Sequence, residues 1–558
     1  MSLTVRLARV GDNYVLVKNS DPNLSPGSPP NLTNAKHSKR NLSNSSLSPT
    51  PGDKKSKIFI TPNRYAVLAS EENETTTPSI TSISNHGNAH IPDQGEDSPA
   101  PLIYIKDISN YSSFKNLLTN LTGPNGFTCD SGLVLRPKTA EDVSDILKYC
   151  NDRSIAVCPQ AGNTSVSSGS VALFDEVVLS TERMNNIINF DPVSGVLVCE
   201  AGCVLESLMK CVDGHGYMMP LDLGSKGSCQ IGGNVSTNAG GIRVIRYGTL
   251  QGCVLGLEAV TADGTILDCL NTMRKDNTGY HLKHLFIGSE GTLGIVTKVA
   301  ILCPSLPKHV NVAFVGLDSY DKVLKLFSIA RAEFGETLSS FELLDNTAVT
   351  YVESKLHHSC PISNVHPFYV LIELASSQPT VGQHMENVLE KALGHSVISD
   401  ATTTDQMSSI HKIWKVRETV IEALLKLGYV YSFDISLPLC RFYEIVELTR
   451  EKLKDVADVK AVCGFGHIGD GNLHLNVVTS QRNEEVARTI QPFIYGWTSK
   501  HRGSVSAEHG IGLSKTQYLE QTKSKSAIDL MRSLKHTMDP KCILNPYKVI
   551  PAVAASDQ

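Results

Sequence analysis

Two short glycine-bounded runs near the end of the chain constrain it more than any other feature. Gly466-His467-Ile468-Gly469-Asp470-Gly471-Asn472-Leu473-His474-Leu475-Asn476 is followed by Ser506-Ala507-Glu508-His509-Gly510. Asp470-Gly471 is a tight-turn signal, and Leu473 to Val478 reads as the strand that leaves it. His467 and His474 then stand on the two sides of the turn, and their side chains return to one point. Neutral imidazole nitrogen and carboxylate oxygen are ligands for a divalent metal such as zinc or manganese. Glu508 supplies a third ligand and leaves a coordination position open, as a catalytic site requires. Alone, the two-histidine run fits an ordinary surface turn equally well. The second run tips the balance toward a metal site.

With 558 residues the chain is long enough for several domains, and 41% apolar against 19% charged residues reads as globular. A net charge of −5 gives the main body no reason to bind nucleic acid. No apolar run is long enough to span a bilayer. The 14 cysteines begin at Cys129 and none is spaced CxxC, which argues against iron–sulfur ligation or a zinc ribbon. They read as reduced, buried thiols. Met1 to Val10 carries Arg6 and Arg9 with no acid, a weak match to a mitochondrial presequence.

Residues 1–100 form a tail of different material, rich in Ser, Asn, Thr and Pro from residue 19 and dotted with Lys36, Lys39, Arg40, Lys54, Lys55 and Lys57. Little in it can offset ordering entropy, so disorder is expected. Residues 101–129 are an atypical segment. Asn63 to Ala69 and Pro101 to Lys106 resemble the start of gag-like proteins of insect retroelements, which implies a fusion. A long targeting tail is the alternative.

From about Asp130 the texture turns globular. Leu133 to Pro137 reads as a strand, Thr139 as the cap of a helix over Ala140 to Cys150, and Ala156 to Pro159 as a strand. Val254 to Val260 and Thr265 to Leu270 are strands joined at Asp263-Gly264. Asn311 to Val315, Lys322 to Phe334, Phe368 to Leu374 and Met385 to Leu393 alternate strand and helix signals, a second sheet domain. Mixed helices and antiparallel hairpins give an α+β class, with units at 130–304, 305–500 and 501–558.

Pro159-Gln160-Ala161-Gly162-Asn163-Thr164-Ser165 follows a strand. Asp222 to Asn234 and Thr237-Asn238-Ala239-Gly240-Gly241 come later. Backbone N–H groups exposed by such residues make anion nests suited to a pyrophosphate. No GxGxxG lies between strand and helix, and no GxxxxGK[ST] is present. A dinucleotide held here is therefore held without a Rossmann fold. Composition alone favours ordinary loop glycines.

Taken together, these residues resemble the FAD-linked D-2-hydroxyacid dehydrogenases of the vanillyl-alcohol-oxidase-type flavoproteins, nearest to the branch that oxidises 2-hydroxyglutarate. The resemblance runs from about Gly132 to Pro551. It is densest at Met219 to Gly224, Gly232-Gly233-Asn234, Arg274 to Tyr280, Ile287 to Gly294, Phe465 to Asn476, Ser504 to Gly512 and Leu544 to Lys548. It implies a two-part FAD-binding domain of the PCMH type, a ferredoxin-like substrate or cap domain and a C-terminal helical segment. It implies non-covalent FAD, since Asn163 stands where covalently flavinylated relatives have histidine. FAD contacts fall by position on Pro159, Gln160, Gly162, Asn163, Thr164 and Ser165, then on Gly224, Gly227, Ser228, Gly232, Gly233, Asn234, Thr237, Asn238 and Gly241, with Gly291 and Ile295. It implies a divalent metal, zinc foremost, at His467, His474 and Glu508. His509 is then the general base, Asn476 a substrate ligand, and Arg417 the partner of a substrate carboxylate. The reaction implied is oxidation of D-2-hydroxyglutarate to 2-oxoglutarate in mitochondria, with an electron-transfer flavoprotein as acceptor.

The chain departs from the family pattern in three places. Ala161, Ser165 and Ser168 replace glycines of the pyrophosphate loop. Ile421 and Ser432 replace a threonine and a lysine that assist with the substrate carboxylates, and Ile421 is expected one helical turn beyond Arg417 on the same face. The tail stands where the family has the first strand and helix of the FAD domain. Two rival readings follow: the same chemistry on another D-2-hydroxyacid such as D-lactate, or a catalytically impaired fusion.

Overall fold

The chain first builds a small parallel sheet. In the computed structural model, which describes residues 133–551 and the backbone of the hairpins Val5–Val10/Asn13–Lys18 and Leu121–Thr122/Thr128–Cys129, β1 (Val134–Leu135) leads into α1 (Ala140–Arg153). The expected presequence, the disordered tail and the gag-like islands otherwise lie outside the described residues. Thr139 caps α1 by accepting the Asp142 N–H at 3.1 Å, and Val143, Ile146, Leu147 and Cys150 bury one face. β2 (Val157–Gln160) and β3 (Val177–Ser180) complete the order β1-β3-β2. One further segment joins from the far end of the chain: Val157 donates to Ile543 O at 2.7 Å and accepts from Asn545 N at 2.7 Å.

A five-stranded antiparallel sheet follows. It comprises β4 (Ile187–Asp191), β5 (Val196–Glu200), β6 (Val254–Val260), β7 (Ile266–Cys269) and β8 (Ile295–Leu302), in the order β7-β6-β8-β5-β4. Leu257, Ala259, Val296 and Val299 pack on α2 (Leu205–Asp213) and α3 (Ile231–Thr237). The β6–β7 turn falls at the expected Asp263-Gly264, where Asp263 Oδ1 accepts the Thr265 N–H at 3.0 Å.

The second unit is a seven-stranded antiparallel sheet covered by helices on both faces. Its strands are β9 (His309–Leu317), β10 (Leu338–Asp345), β11 (Phe368–Ser376), β12 (Asp400–Thr404), β13 (Tyr429–Ser436), β14 (Val459–His467) and β15 (Asn472–Thr479). The order is β12-β9-β11-β10-β14-β15-β13. Phe341, Leu343, Phe433, Ile435, Leu473 and Leu475 form one core with α4 (Tyr320–Phe334) and α5 (Val381–Gly394). On the opposite face Leu344, Phe465 and Val478 pack under α6 (Met407–Glu418) and α7 (Val420–Leu425). The sheet is pinned by a buried acid. Asp345 caps the helix that follows it (Ala348 N, 2.9 Å) and accepts from Gly464 N at 2.7 Å, Tyr443 OH at 2.9 Å and Arg450 Nη2 at 2.6 Å. Asp345→Ala strands these donors and is expected to cost about 3 kcal/mol. A lowered unfolding midpoint in urea checks it.

One local expectation is corrected. Arg417 and Ile421 do not share a continuous helix: Thr419 (φ −97°, ψ 9°) separates α6 from α7. Helical spacing therefore does not put the two side chains on one face.

Candidate active site

Strand alternation builds the site. Asn472-Leu473-His474-Leu475-Asn476 points its apolar residues into one core, leaving the polar phase on the other face of the sheet. Pairing brings further polar residues to that face: His467 lies opposite Asn472 at the β14–β15 turn, Asp434 opposite His474, Ser432 opposite Asn476, and Glu342 opposite His467.

The three expected metal ligands meet. His467 Nε2 lies 3.3 Å from His474 Nε2, and Glu508 Oε1 is 3.6 Å from each. Tetrahedral coordination with bonds of about 2.0–2.1 Å separates ligand atoms by roughly 3.3–3.5 Å, so this triangle fits a zinc-sized ion. His474, Glu508, His509 and Asp434 also form a compact donor group. Asp434 Oδ2 is occupied by three backbone N–H groups, so the two histidines and Glu508 make the better set.

The charges around the triangle are fixed by pairing. Burial disfavours a charge on His467, but Glu342, 2.8 Å from its Nδ1, outweighs burial and pushes it up to about 10. Such a carboxylate on the far ring nitrogen is the usual outer partner of a metal-ligating histidine, holding its tautomer and orientation. Burial and the neighbouring His467 charge drive His474 down to about 3. Burial resists the charge on Glu508, but His467 brings it down to about 2.

Arg417 is buried, 7% exposed, and so is not a surface charge. Its Nε and Nη2 hold Glu342 Oε2 at 3.0 and 2.9 Å, and its guanidinium lies over the Phe465 ring. Asn476 donates to His474 O at 3.2 Å and leaves Oδ1 buried without a partner among the described residues. The His509 ring stacks on His474, with centroids 5.5 Å apart, and stays 29% exposed. Ser432 is exposed, while Ile421 is half-buried against the α6–α7 core.

Glu508 ties this centre to the glycine loops, because its second oxygen accepts the Gly241 N–H at 2.6 Å. Gly241 has φ +82°, and a Cβ there would meet Asp222 O at 2.3 Å. A Cβ at Gly162 would meet Ser228 O at 2.2 Å, so the 159–165 and 224–234 loops touch backbone to backbone. Gly291 packs on Pro159 and Gly233 on Ala161, stitching all the expected FAD segments into one cradle. Among the described residues nothing stands against Gly224 and Gly227, and Asn234 Oδ1 is buried without a partner, an acceptor available to a ligand. These features fit a bound dinucleotide. Thr237 Oγ1 and Asn238 Oδ1 are occupied by Gly233 O (3.1 Å) and Gln251 N (2.9 Å), and Gln160 Nε2 by Ser170 O (3.0 Å). Gly232 packs on Ala201. Ile295 sits in the core with Leu135 and Leu147, so only its backbone is left to face a cofactor.

Of the three replaced glycines, Ser168 takes a positive φ (+57°), a strain of about 1 kcal/mol for a residue with a side chain. Asn163, at φ +56°, is of a type that tolerates it. Ser165 puts its hydroxyl to use, accepting the N–H groups of Ser167 and Gly169 at 3.3 and 3.4 Å.

Sequence reading missed three acids. Glu342 lies in an all-buried strand that also ends on an acid, Asp345, and nothing in the strand's sequence tells which of the two meets the site. Asp434 sits in the polar phase of β13. Glu290, at φ +50°, accepts Ile511 N and Gly512 N at 2.7 and 2.8 Å and anchors the 504–514 segment to the cradle.

Comparison with known proteins gives the same outline. A family model described as an FAD binding domain matches residues 132–270, and one described as the C-terminal domain of FAD linked oxidases matches 306–549. A Danio rerio protein named D-2-hydroxyglutarate dehydrogenase, mitochondrial, is 51% identical over 422 residues, covering 75% of this chain and 79% of its own. A Saccharomyces cerevisiae D-2-hydroxyglutarate–pyruvate transhydrogenase is 41% identical, covering 75% of this chain and 86% of its own. In fold, the chain resembles a p-cresol methylhydroxylase structure (TM-score 0.63, 16% identity, 77% of this chain and 90% of that one).

Proposed function

The chain belongs to the family of FAD-linked oxidases that includes the mitochondrial D-2-hydroxyglutarate dehydrogenases, and from that premise we propose that it converts D-2-hydroxyglutarate to 2-oxoglutarate. It is an FAD-dependent oxidoreductase acting on D-2-hydroxyacids. The observation that carries the finer reading is Glu508, with one oxygen in the histidine triangle and the other on a cofactor-loop N–H.

FAD in the cradle supplies the hydride acceptor, and a divalent cation held by His467, His474 and Glu508 supplies a Lewis acid for the substrate hydroxyl. The chain's own groups do the rest. His509, half-exposed beside the triangle, takes the hydroxyl proton. Asn476 Oδ1 orients that hydroxyl. Arg417, with Nε and Nη2 already on Glu342, has Nη1 left for a substrate carboxylate.

A second reading rests on Ile421 and Ser432, neither of which carries a charge to meet a distal carboxylate. An unpaired carboxylate there costs affinity, which favours a substrate with a small neutral side chain such as D-lactate. By family likeness the protein works in mitochondria, and an electron-transfer flavoprotein stays the acceptor that the sequence resemblance implies. The yeast relative's name specifies pyruvate instead, so the acceptor needs its own assay.

Anaerobic mixing tests the substrate. D-2-hydroxyglutarate is expected to bleach the flavin band of the zinc-loaded protein rapidly, and bleaching by D-lactate alone would move the assignment to the second reading. Dialysis against a chelator is expected to slow bleaching on the order of 10²-fold or more, restored by zinc. Unchanged rates after complete demetallation would remove the metal from the mechanism.

A further inference from the structure

We propose that Asp434 is the positioning residue of this active site, its carboxylate setting where the Glu508 carboxylate and the His509 ring stand. This deepens the metal-and-base reading above and rests on it. Asp434 sits in the polar phase of β13 and is 1% exposed. Its Oδ2 accepts three successive backbone N–H groups, from Ala507 at 3.0 Å, Glu508 at 3.0 Å and His509 at 2.9 Å. Its Oδ1 accepts Asn472 Nδ2 at 2.8 Å. Three N–H groups converging on one point form a nest of the kind that usually binds an external anion. Here the anion comes from the chain itself, on the strand next to the one bearing His474.

Among the described residues the Glu508 and His509 N–H groups meet no acceptor but this carboxylate, and the Ala507 N–H also reaches the Asp434 backbone O at 3.3 Å. The turn's ends are fastened by the Ser436–Ser504 bridge before it and by Glu290 holding Ile511 and Gly512 after it; within it Gly510 O accepts from Ser506 Oγ at 2.7 Å and Ser167 Oγ at 3.1 Å, and the Glu508 carboxylate accepts the Gly241 N–H. Between those anchors, the direction in which residues 508 and 509 project is set by the nest. Asp434 also faces the two histidines directly, with His474 Nδ1 at 3.8 Å and His509 Nδ1 at 3.9 Å, and Lys515 Nζ lies 3.9 Å from Oδ2. The hydrogen-bonding groups around the carboxylate are donors. An amide in its place would turn an NH2 group against one set of them, so asparagine is close in shape but wrong in chemistry.

The test compares wild type with Asp434→Asn and with the milder Asn472→Ala, which removes one donor from Oδ1. Zinc affinity is read by competition with a chromophoric chelator, flavin content by absorbance, and kcat and KM separately at saturating zinc. The expected result for D434N is retained flavin, zinc affinity lowered about 10–100-fold, and a kcat that falls more than KM rises even when zinc saturates. N472A should shift zinc affinity severalfold in the same direction. A folded, flavin-loaded D434N with wild-type zinc affinity and kcat overturns the proposal. If D434N does not fold, N472A decides: a lower melting temperature with unchanged zinc affinity and kcat means Asp434 is structural only. If the wild-type chain itself binds no zinc, the metal reading fails first, and this inference falls with it.

Discussion

Replacing His467 by alanine is expected to stop turnover while leaving the flavin in place. The substitution removes one corner of the 3.3–3.6 Å ligand triangle, and a two-ligand site does not hold zinc at micromolar concentrations. It also strips Glu342, a buried carboxylate, of one of its two cationic partners and leaves Arg417 alone beside it. The first effect should lower kcat/KM by on the order of 10³-fold or more, since the Lewis acid contributes several kcal/mol. The second should cost about 3 kcal/mol of stability. Zinc content, flavin absorbance and a steady-state assay on one preparation check the first, and the urea unfolding midpoint checks the second. Turnover within tenfold of wild type would show that His467 is not a metal ligand.

Gly162→Ala should produce the complementary lesion, a protein with an intact histidine triangle and no flavin. The new methyl group would sit 2.2 Å from Ser228 O and 2.7 Å from Cys229 Cα. Both obstacles are backbone, so no rotamer change relieves them, and the two loops must separate. Their separation opens the cradle in which the FAD-binding segments meet. A flavin-to-protein ratio far below one is expected, with zinc affinity within a few-fold of wild type. Full flavin occupancy in this variant would mean that the Gly162–Ser228 approach is not part of the cofactor site. Together the two variants separate metal loss from cofactor loss.

The parts of the site that were legible in sequence are those where chemistry and periodicity coincide. In Asn472 to Asn476 the alternation of polar and apolar residues told both the strand and the face, and Asp470-Gly471 told the turn. Thr139 announced its helix by the same local logic, and the α+β class followed from mixed helices and hairpins. Long-range pairing was not legible. Glu342 reaches His467 across 125 residues of chain, and nothing local marks this acid of a buried strand as its partner. Arg417 was marked only by the family resemblance, because its burial depends on Phe465 and Glu342 from other strands. The helix break at Thr419 escaped detection because Val416 to Leu425 contains neither Pro nor Gly, so composition there favours one helix.

The strand pairing between Val157 and the segment Ile543 to Asn545 bears on how the protein is made. Lys548, just beyond that segment, contacts Cys158 over a separation of 390 residues. At synthesis rates of about 5–20 residues per second, the N-terminal sheet emerges from the ribosome roughly 20–80 s before its edge partner exists. Until then β2 has an unpaired edge, and the cofactor loop that follows it lacks Asn545, whose amide holds Gly169 O at 2.9 Å and Glu290 O at 2.8 Å. The contacts that complete the cofactor cradle are therefore among the last the growing chain can make. Loss of the chain from Ile543 onward would leave the first domain synthesised but exposed to aggregation and proteolysis at its open edge.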